Sequence, residues 1–331
     1  MMKAAVIGLG WWGKQIWHSL QGSERIEIVK GVDVDLSPLG AFAEESGLTL
    51  IESYDEVLKD GSIDAVILTT PHALHEDQVI AAADAGKQIF CEKPLSLTGA
   101  SAQRMLDACA AKGIVLGIGH ERRFEPAMIE MKRRIDAGEI GSLIHVEANW
   151  SYNLLSTGTT PTWRQDPNQA PAGLLTAVGV HMTDYLQSVA GPVASLRAIL
   201  QPRGPDRPSD ATLSIQLEYR SGATGYLCCL APTPFYQRIT FFGDSAWIEH
   251  REVSHVAVPD PAVVTWRGLD EEIHTRTFNH IDPVRANLEA WAAAVEDGAP
   301  YKFSDQEKLH NVEILEAIVK STKSGEAVAV G

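Results

Sequence analysis

Three stretches of this 331-residue chain carry groups whose types and spacing can do chemistry. The first is Val6-Ile7-Gly8-Leu9-Gly10-Trp11-Trp12-Gly13, a GxGxxG pattern that directly follows an apolar run and opens a helical one. In that setting Gly8 permits a tight turn, Gly10 lets the backbone approach a pyrophosphate and Gly13 lets helix pack closely on strand, while the helix N-terminus offers free N–H groups to the anion. About twenty residues on, the next apolar run ends in Gly31-Val32-Asp33, where a carboxylate can hold a ribose 2′-hydroxyl and would repel a 2′-phosphate. No arginine follows Asp33, so the expected cofactor is NAD and not NADP. Asp35 reads as a solvated turn residue. Trp11 and Trp12 have two readings, packing against a neighbouring domain or covering the cofactor phosphates.

The other two stretches are Thr69-Thr70-Pro71-His72-Ala73-Leu74-His75 and Phe90-Cys91-Glu92-Lys93-Pro94-Leu95-Ser96. Each follows a short apolar run that reads as a strand, and ligands of a parallel sheet bind at the carboxyl ends of its strands. Pro94 biases Lys93 to an extended backbone and allows a cis bond, so the ammonium can be aimed into a cleft. Lys93 is therefore a candidate proton donor or acceptor.

These residues need elements to position them. The apolar runs Ala4–Gly8, Ile26–Asp33, Ala65–Thr69, Ile89–Cys91 and Ile114–Ile118 are separated by helical patterns such as Glu76–Ala85 and Ala100–Ala111. Continuous apolar strands alternating with helices imply a parallel sheet covered on both faces, a doubly wound α/β domain spanning 1–119. After Gly119 the pattern changes. A helix over Pro126–Ala137 leads to Leu143–Tyr152, where apolar and polar residues alternate with the period of a half-buried strand. A Gly/Pro/Thr-rich loop, Ser156–Pro171, precedes a helix beginning near Gly173. Runs such as Leu213–Tyr219, Thr224–Leu230, Ile239–Phe242 and Val263–Trp266 then predict a largely antiparallel open sheet. A final helix opens at Ser304, where Glu307 completes a capping box. Residues 120–331 are thus expected to form an α+β domain that binds substrate and supports oligomerisation.

Composition narrows the partners. A net charge of -15 repels phosphate backbones and anionic bilayers, which argues against nucleic acid or a membrane surface and for a small molecule. No apolar stretch approaches the ~20 residues that span a bilayer, and nothing at Met1-Met2-Lys3 resembles a secretory signal, so a cytoplasmic location is expected. The four cysteines, Cys91, Cys109, Cys228 and Cys229, lack CxxC spacing and read as reduced core thiols. No His, Cys or carboxylate set has defensible metal-ligand spacing, so no metal is expected.

GLGWWG, Thr70-Pro71 with His75, Ala85-Gly86-Lys87 and Glu92-Lys93-Pro94 together resemble the Gfo/Idh/MocA oxidoreductases, the family of glucose-fructose oxidoreductase and inositol dehydrogenase. The resemblance continues through Arg123-Phe124-Glu125-Pro126, Gly138-Glu139-Ile140-Gly141, Trp163-Arg164, Gly179-Val180-His181-Met182-Thr183-Asp184 and a closing Ser321 and Gly325. It implies an NAD-dependent dehydrogenase that moves a hydride between nicotinamide and a hydroxyl-bearing carbon of a sugar, cyclitol or related polyol, assembled as a homodimer or homotetramer. It places Thr70, Pro71, His75 and Glu92 with the cofactor, Lys93 at the family's EKP lysine and His181 at its GxHxxD histidine. With an ordinary pKa of about 6.5, His181 suits the base that removes the hydroxyl proton, while Lys93 polarises the same oxygen. Further substrate contacts are expected at His120, Arg122, Tyr152 and Arg164, although Arg122 and Arg123 also read as interdomain ion-pair partners. The chain departs from the family at Ala177, where an aspartate is usual, and in the reduced glycine cluster Ala172-Gly173-Leu174. Asp166, Thr176 and Tyr152 are candidates to replace that acid. Two other readings stay open, an NAD-using glycoside hydrolase and a non-catalytic dinucleotide sensor.

Overall fold

The computed structural model describes residues 1–153, 163, 166–202, 211–231, 233–254, 258 and 260–331. They group into two compact units, Met1–Glu121 with Val284–Lys308 and Arg122–Pro283 with Leu309–Gly331.

In the first unit a six-stranded parallel sheet is built from β1 (Met2–Ile7), β2 (Ile26–Val32), β3 (Thr49–Ile51), β4 (Ala65–Leu68), β5 (Gln88–Cys91) and β6 (Leu116–Ile118), in the order β3-β2-β1-β4-β5-β6. The helices between them are α1 (Trp11–Ser19), α2 (Gly40–Ser46), α3 (Tyr54–Lys59), α4 (His75–Asp84) and α5 (Gly99–Ala111). β4 is buried at every position, as a strand covered on both faces must be. β3 escapes the sequence pattern because it is only Thr49–Ile51 and no residue of it is fully buried.

Val284–Lys308, which lies late in the sequence, groups with this first unit through α8 (Pro283–Asp297). Trp291 of α8 is fully buried edge-on against Phe90, and its Nε1 donates to the Val115 carbonyl at 2.9 Å. Gly117 is needed there, since a Cβ would come within 2.6 Å of Phe90 and 2.8 Å of Trp291. Asn287 Nδ2 donates to the Ile118 carbonyl at 2.8 Å, tying α8 to the end of β6.

The second unit holds a mixed, mostly antiparallel sheet of nine strands among the described residues. They are β7 (Leu143–Ser151), β8 (Val193–Pro202), β9 (Ala211–Tyr219), β10 (Thr224–Leu230), β11 (Tyr236–Gly243), β12 (Ala246–Glu252), β13 (Ala262–Gly268), β14 (Ile273–Phe278) and β15 (Val328–Ala329). The order is β14-β13-β12-β11-β7-β10-β9-β8-β15, with β7 and β10 parallel. Strict alternation of buried and exposed positions along most of β9 marks a sheet with one covered face. The helices of this unit are α6 (Pro126–Asp136), α7 (Val180–Ala190) and most of α9 (Asp305–Ser324). At the start of α9 the Ser304 N–H donates to Glu307 Oε2 at 2.9 Å and the Glu307 N–H to Ser304 Oγ at 3.2 Å, a reciprocal capping box. Among the described residues no helix is long and apolar enough to cross a membrane. Cys91, Cys109 and Cys229 are buried free thiols, and Cys228 is half-buried and free.

Candidate active site

The glycine turn is closed by its neighbours. Gly8 has φ +94°, a conformation that only glycine adopts freely, and a Cβ on Gly13 would strike the Gly8 carbonyl. A Cβ on Gly10 would meet nothing within 4 Å, so that side of the turn is open. Helix α1 begins there with no side-chain cap and no acid in its first turn, leaving its first N–H groups to an anion. Asp33, at the end of β2, accepts from the Leu9 N–H through Oδ2 at 2.6 Å, so the acid is fixed against the turn. Thr69 was not singled out from sequence, yet its hydroxyl donates to the Gly8 carbonyl. Its position at the end of β4 was the available signal. Asp35 accepts from the Ser37 N–H and hydroxyl, closing its own turn. Trp11 is 61% exposed, its ring centroid 5.5 Å from that of the half-buried Trp12. An open turn, uncapped N–H groups and a fixed carboxylate fit a dinucleotide.

The loops after β4 and β5 are joined through His75. This histidine is fully buried, with Nδ1 3.0 Å from the Pro94 carbonyl and Nε2 3.0 Å from the Thr70 carbonyl. Burial lowers its pKa. His75, expected beside the cofactor, has both ring nitrogens engaged by backbone carbonyls and ties the Glu92–Leu95 turn to Thr70. Thr70 Oγ1 donates to Gln78 Oε1, and Pro71 starts the short turn His72–Leu74. The Lys93–Pro94 peptide is cis.

Glu92 is buried, and a Cβ on Gly119 would collide with its carboxylate. Burial pushes its pKa up to about 7, the Glu121 carboxylate adds to the rise, and Lys93 and the Trp12 indole oppose it. Lys93 is half-buried, and its N–H donates to Glu92 Oε2 at 3.2 Å. His120 is buried with its ring 6.2 Å from Phe303. The first unit thus gathers the turn, Asp33, Thr69, Glu92 and Lys93 at the carboxyl ends of β1, β2, β4 and β5.

In the second unit His181 lies in the first turn of α7, after a π-helical turn over Leu175–Gly179. Ahead of it Ala172 has φ 59° and Gly173 φ 63°, so the alanine occupies a left-handed position that favours glycine. Gly179 is small for a reason: a Cβ would come within 3.0 Å of Leu175 and 3.2 Å of the Cys229 sulfur. Asn311 of α9 accepts from the Thr183 hydroxyl at 2.7 Å and donates to the Val180 carbonyl at 3.1 Å, anchoring this turn. The buried His181 ring lies 5.7 Å from that of Trp150 on β7. Ala177 is half-buried within the π-helical turn. Of the candidates for the missing acid, Asp166 accepts from the Asn168 N–H and the Gln169 amide, which lowers its pKa, and Thr176 is buried beside Ala177. Tyr152 follows β7 with its ring edge-on to Phe235.

Both arginines read as interdomain partners bind acids inside the second unit. Arg122 is fully buried, and its Nη1 donates to Glu125 at 2.7 Å and to the two Glu252 oxygens at 2.7 and 2.6 Å. Its guanidinium also lies 4.3 Å over the Trp150 ring. Burial raises the Glu252 pKa, but Arg122 and His250 overcome it and hold the carboxyl well below its ordinary range. Glu125, Glu252 and His250 bring ligand-type atoms within 4.8 Å of one another, and a guanidinium already bridges the two acids. Arg123 grips Asp184 with Nε at 2.7 Å and Nη2 at 2.6 Å, so the last residue of the His181 motif is an ion-pair partner. Arg164, and residues 156–162 and 165 of the predicted loop, lie outside the described residues.

Residues 2–120 match the family described as an oxidoreductase family with an NAD-binding Rossmann fold, and residues 128–249 match the Gfo/Idh/MocA C-terminal domain. A D-xylose 1-dehydrogenase (NADP(+)) of Haloferax volcanii is 30% identical over 316 residues, covering 95% of this chain and 95% of that protein. An inositol 2-dehydrogenase of Saccharopolyspora erythraea is 27% identical over 343 residues, covering 99% and 95%. The structure of a levoglucosan dehydrogenase in complex with NADH superposes with a TM-score of 0.88 over 100% of this chain and 99% of that one, at 21% identity, which shows the fold. With both units matched in order and a relative aligned over nearly its full length, the chain belongs to the Gfo/Idh/MocA family of oxidoreductases.

Proposed function

We propose that this oxidoreductase is an NAD-dependent dehydrogenase of a sugar, cyclitol or related polyol, with Lys93 and His181 handling the proton of the oxidised hydroxyl. The observation that carries the cofactor choice is Asp33, whose carboxylate is fixed against the glycine turn by the Leu9 N–H at 2.6 Å. A carboxylate held there suits two ribose hydroxyls and repels a 2′-phosphate. The relatives acting on D-xylose and inositol support the substrate class.

Nicotinamide, when bound, accepts the hydride. The chain's own part is to fix the dinucleotide with Gly8, Gly10, Gly13 and Asp33 and to manage the hydroxyl. His181 takes the proton, and Lys93 donates to the same oxygen as negative charge builds on it. With Ala177 in place of an acid, His181 is oriented by the Trp150 ring and by the α7 turn that Asn311 anchors. The outer sheet face, carrying the exposed Ile199 and Tyr226, is the surface we assign to a homodimer or homotetramer.

Absorbance at 340 nm with NAD and a panel of aldoses, cyclitols and levoglucosan tests the reading, and no reduction with any member defeats it. Tight NADH binding without turnover of any member would instead support a dinucleotide sensor, and an active wild type whose Lys93→Ala variant keeps its activity would remove Lys93 from the proton chemistry. NADH is expected to bind at least tenfold more tightly than NADPH, roughly 1.4 kcal/mol.

A further inference from the structure

Across the covered face of the second sheet runs one polar row. Gln237 on β11 is in register with Trp150 on β7 and with Glu252 on β12, so the three side chains stand side by side on one face. The rows beyond it are mainly apolar, Ala148 with Ile239 and His250, then Val146 with Phe241 and Ile248. Within the polar row the groups are unequally satisfied. Glu252 has both oxygens on Arg122. Gln237 is 1% exposed, yet among the described residues neither its Nε2 nor its Oε1 has a hydrogen-bond partner, and the Nε1 of Trp150, also 1% exposed, has none either.

Buried polar groups are almost always hydrogen-bonded, and each orphan costs about 1–3 kcal/mol. Here the orphans adjoin one another, and one of them sits on the ring packed against His181. Their chemistry defines what would satisfy them. Trp150 offers one donor, and Gln237 offers two donors and an acceptor. A carboxylate or phosphate accepts only and would leave Gln237 Oε1 bare. A pair of neighbouring hydroxyls, each donor and acceptor, satisfies all of them.

We propose that Gln237 and Trp150 form a hydroxyl-recognition subsite beside His181, reading a neutral vicinal diol that includes or adjoins the carbon to be oxidised. The subsite rests on the dehydrogenase reading above and adds to it the two residues that select the substrate. One substrate hydroxyl donates to Gln237 Oε1, and the adjoining hydroxyl oxygen accepts from Trp150 Nε1 or Gln237 Nε2.

The test uses the full-length protein with NAD, and as probes D-xylose, D-glucose, levoglucosan, myo-inositol and scyllo-inositol. Gln237→Met keeps the volume and removes both orphan groups. Trp150→Phe keeps an aromatic ring for Arg122 and His181 to pack on and removes the N–H together with the rest of the five-membered ring. For the probe best used by the wild type, each variant is expected to raise KM at least tenfold, with kcat within threefold and the NADH dissociation constant within twofold. The ligand-free melting temperature of Gln237→Met is expected to equal or exceed that of the wild type, since an unsatisfied buried amide is gone, so a raised KM cannot then reflect unfolding. Should Gln237→Met fail to fold, Trp150→Phe decides. An active wild type whose foldable variants keep KM within twofold overturns the subsite alone. A wild type inactive on every probe overturns the dehydrogenase reading and the subsite with it.

Discussion

Replacing Glu92 by glutamine should stabilise the protein, and only at the alkaline end of its range. Glu92 is 6% exposed, and its carboxyl is pushed from an ordinary 4.5 up to about 7, first by burial and then by Glu121. The unfolded chain releases this proton near 4.5, whereas the folded chain keeps it until about 7. Its stabilising contribution is therefore complete below the unfolded pKa and is lost as pH rises through the folded one. That rise corresponds to roughly 3 kcal/mol at 1.36 kcal/mol per pH unit. Glutamine is neutral throughout and keeps an acceptor for the Lys93 N–H. Unfolding entropy of about 2.1 cal/mol/K per residue makes roughly 3 kcal/mol worth about 4 °C in a chain this long. Calorimetry of the ligand-free protein from pH 4 to 8 should show E92Q and wild type melting together at pH 4 and E92Q melting about 4 °C higher at pH 8. A difference that is negative, or the same at every pH, would refute the placement of a protonated carboxyl beside Lys93.

Ala172 holds φ 59°, so Ala172→Gly should stabilise by about 1 kcal/mol, read as a melting point raised by roughly 1–2 °C. A lowered melting point would count against the left-handed turn before α7. Asp33→Ala should weaken NADH binding at least tenfold, by titration of cofactor fluorescence, and weaken NADPH less, because the lost carboxylate repels a 2′-phosphate. Equal losses for both cofactors would leave Asp33 only its bond to the Leu9 N–H. Asp184→Asn should cost about 3–5 kcal/mol in urea unfolding by stranding the Arg123 guanidinium in a site where it is 7% exposed. Full stability would mean that Arg123 has another anion at hand.

The first unit was the more legible half of the chain. Its buried strands read as apolar runs because both faces are covered, and the GxGxxG turn announces itself because Gly8 and Gly13 answer local geometric demands. What sequence could not show is where long-range contacts fall. Nothing around Trp291 says that α8 lies against Phe90, and the role of His75 depends on carbonyls at Pro94 and Leu95 that no local spacing encodes. Arg122 was the hardest residue to read. A basic residue just past the end of β6 has the sequence signature of a substrate contact, and its partner Glu252 is 130 residues away. Gln237 gave no signal, since a glutamine in a strand is noticed only when its orphaned amide and its neighbour Trp150 are seen together.

The charges around His181 then bear on what the second unit accepts. Arg122 is shared between Glu125 and Glu252, and Arg123 is held by Asp184, so the buried cations on this side of the sheet each face a carboxylate. The family's aspartate is Ala177, and Trp150 and Gln237, the buried groups in that row with no protein partner among the described residues, are neutral. Of the buried cations described in the second unit, a phosphorylated or carboxylated sugar would have to draw an arginine from its pair, and breaking such a pair costs about 3–5 kcal/mol. The net charge of -15 adds long-range repulsion to that cost. A neutral polyol meets neither penalty and can satisfy the orphaned amide and indole. Sugar phosphates should therefore show kcat/KM values at least a hundredfold below their unphosphorylated parents, and a phosphorylated substrate turned over as well as its parent would show that an arginine pair opens on binding.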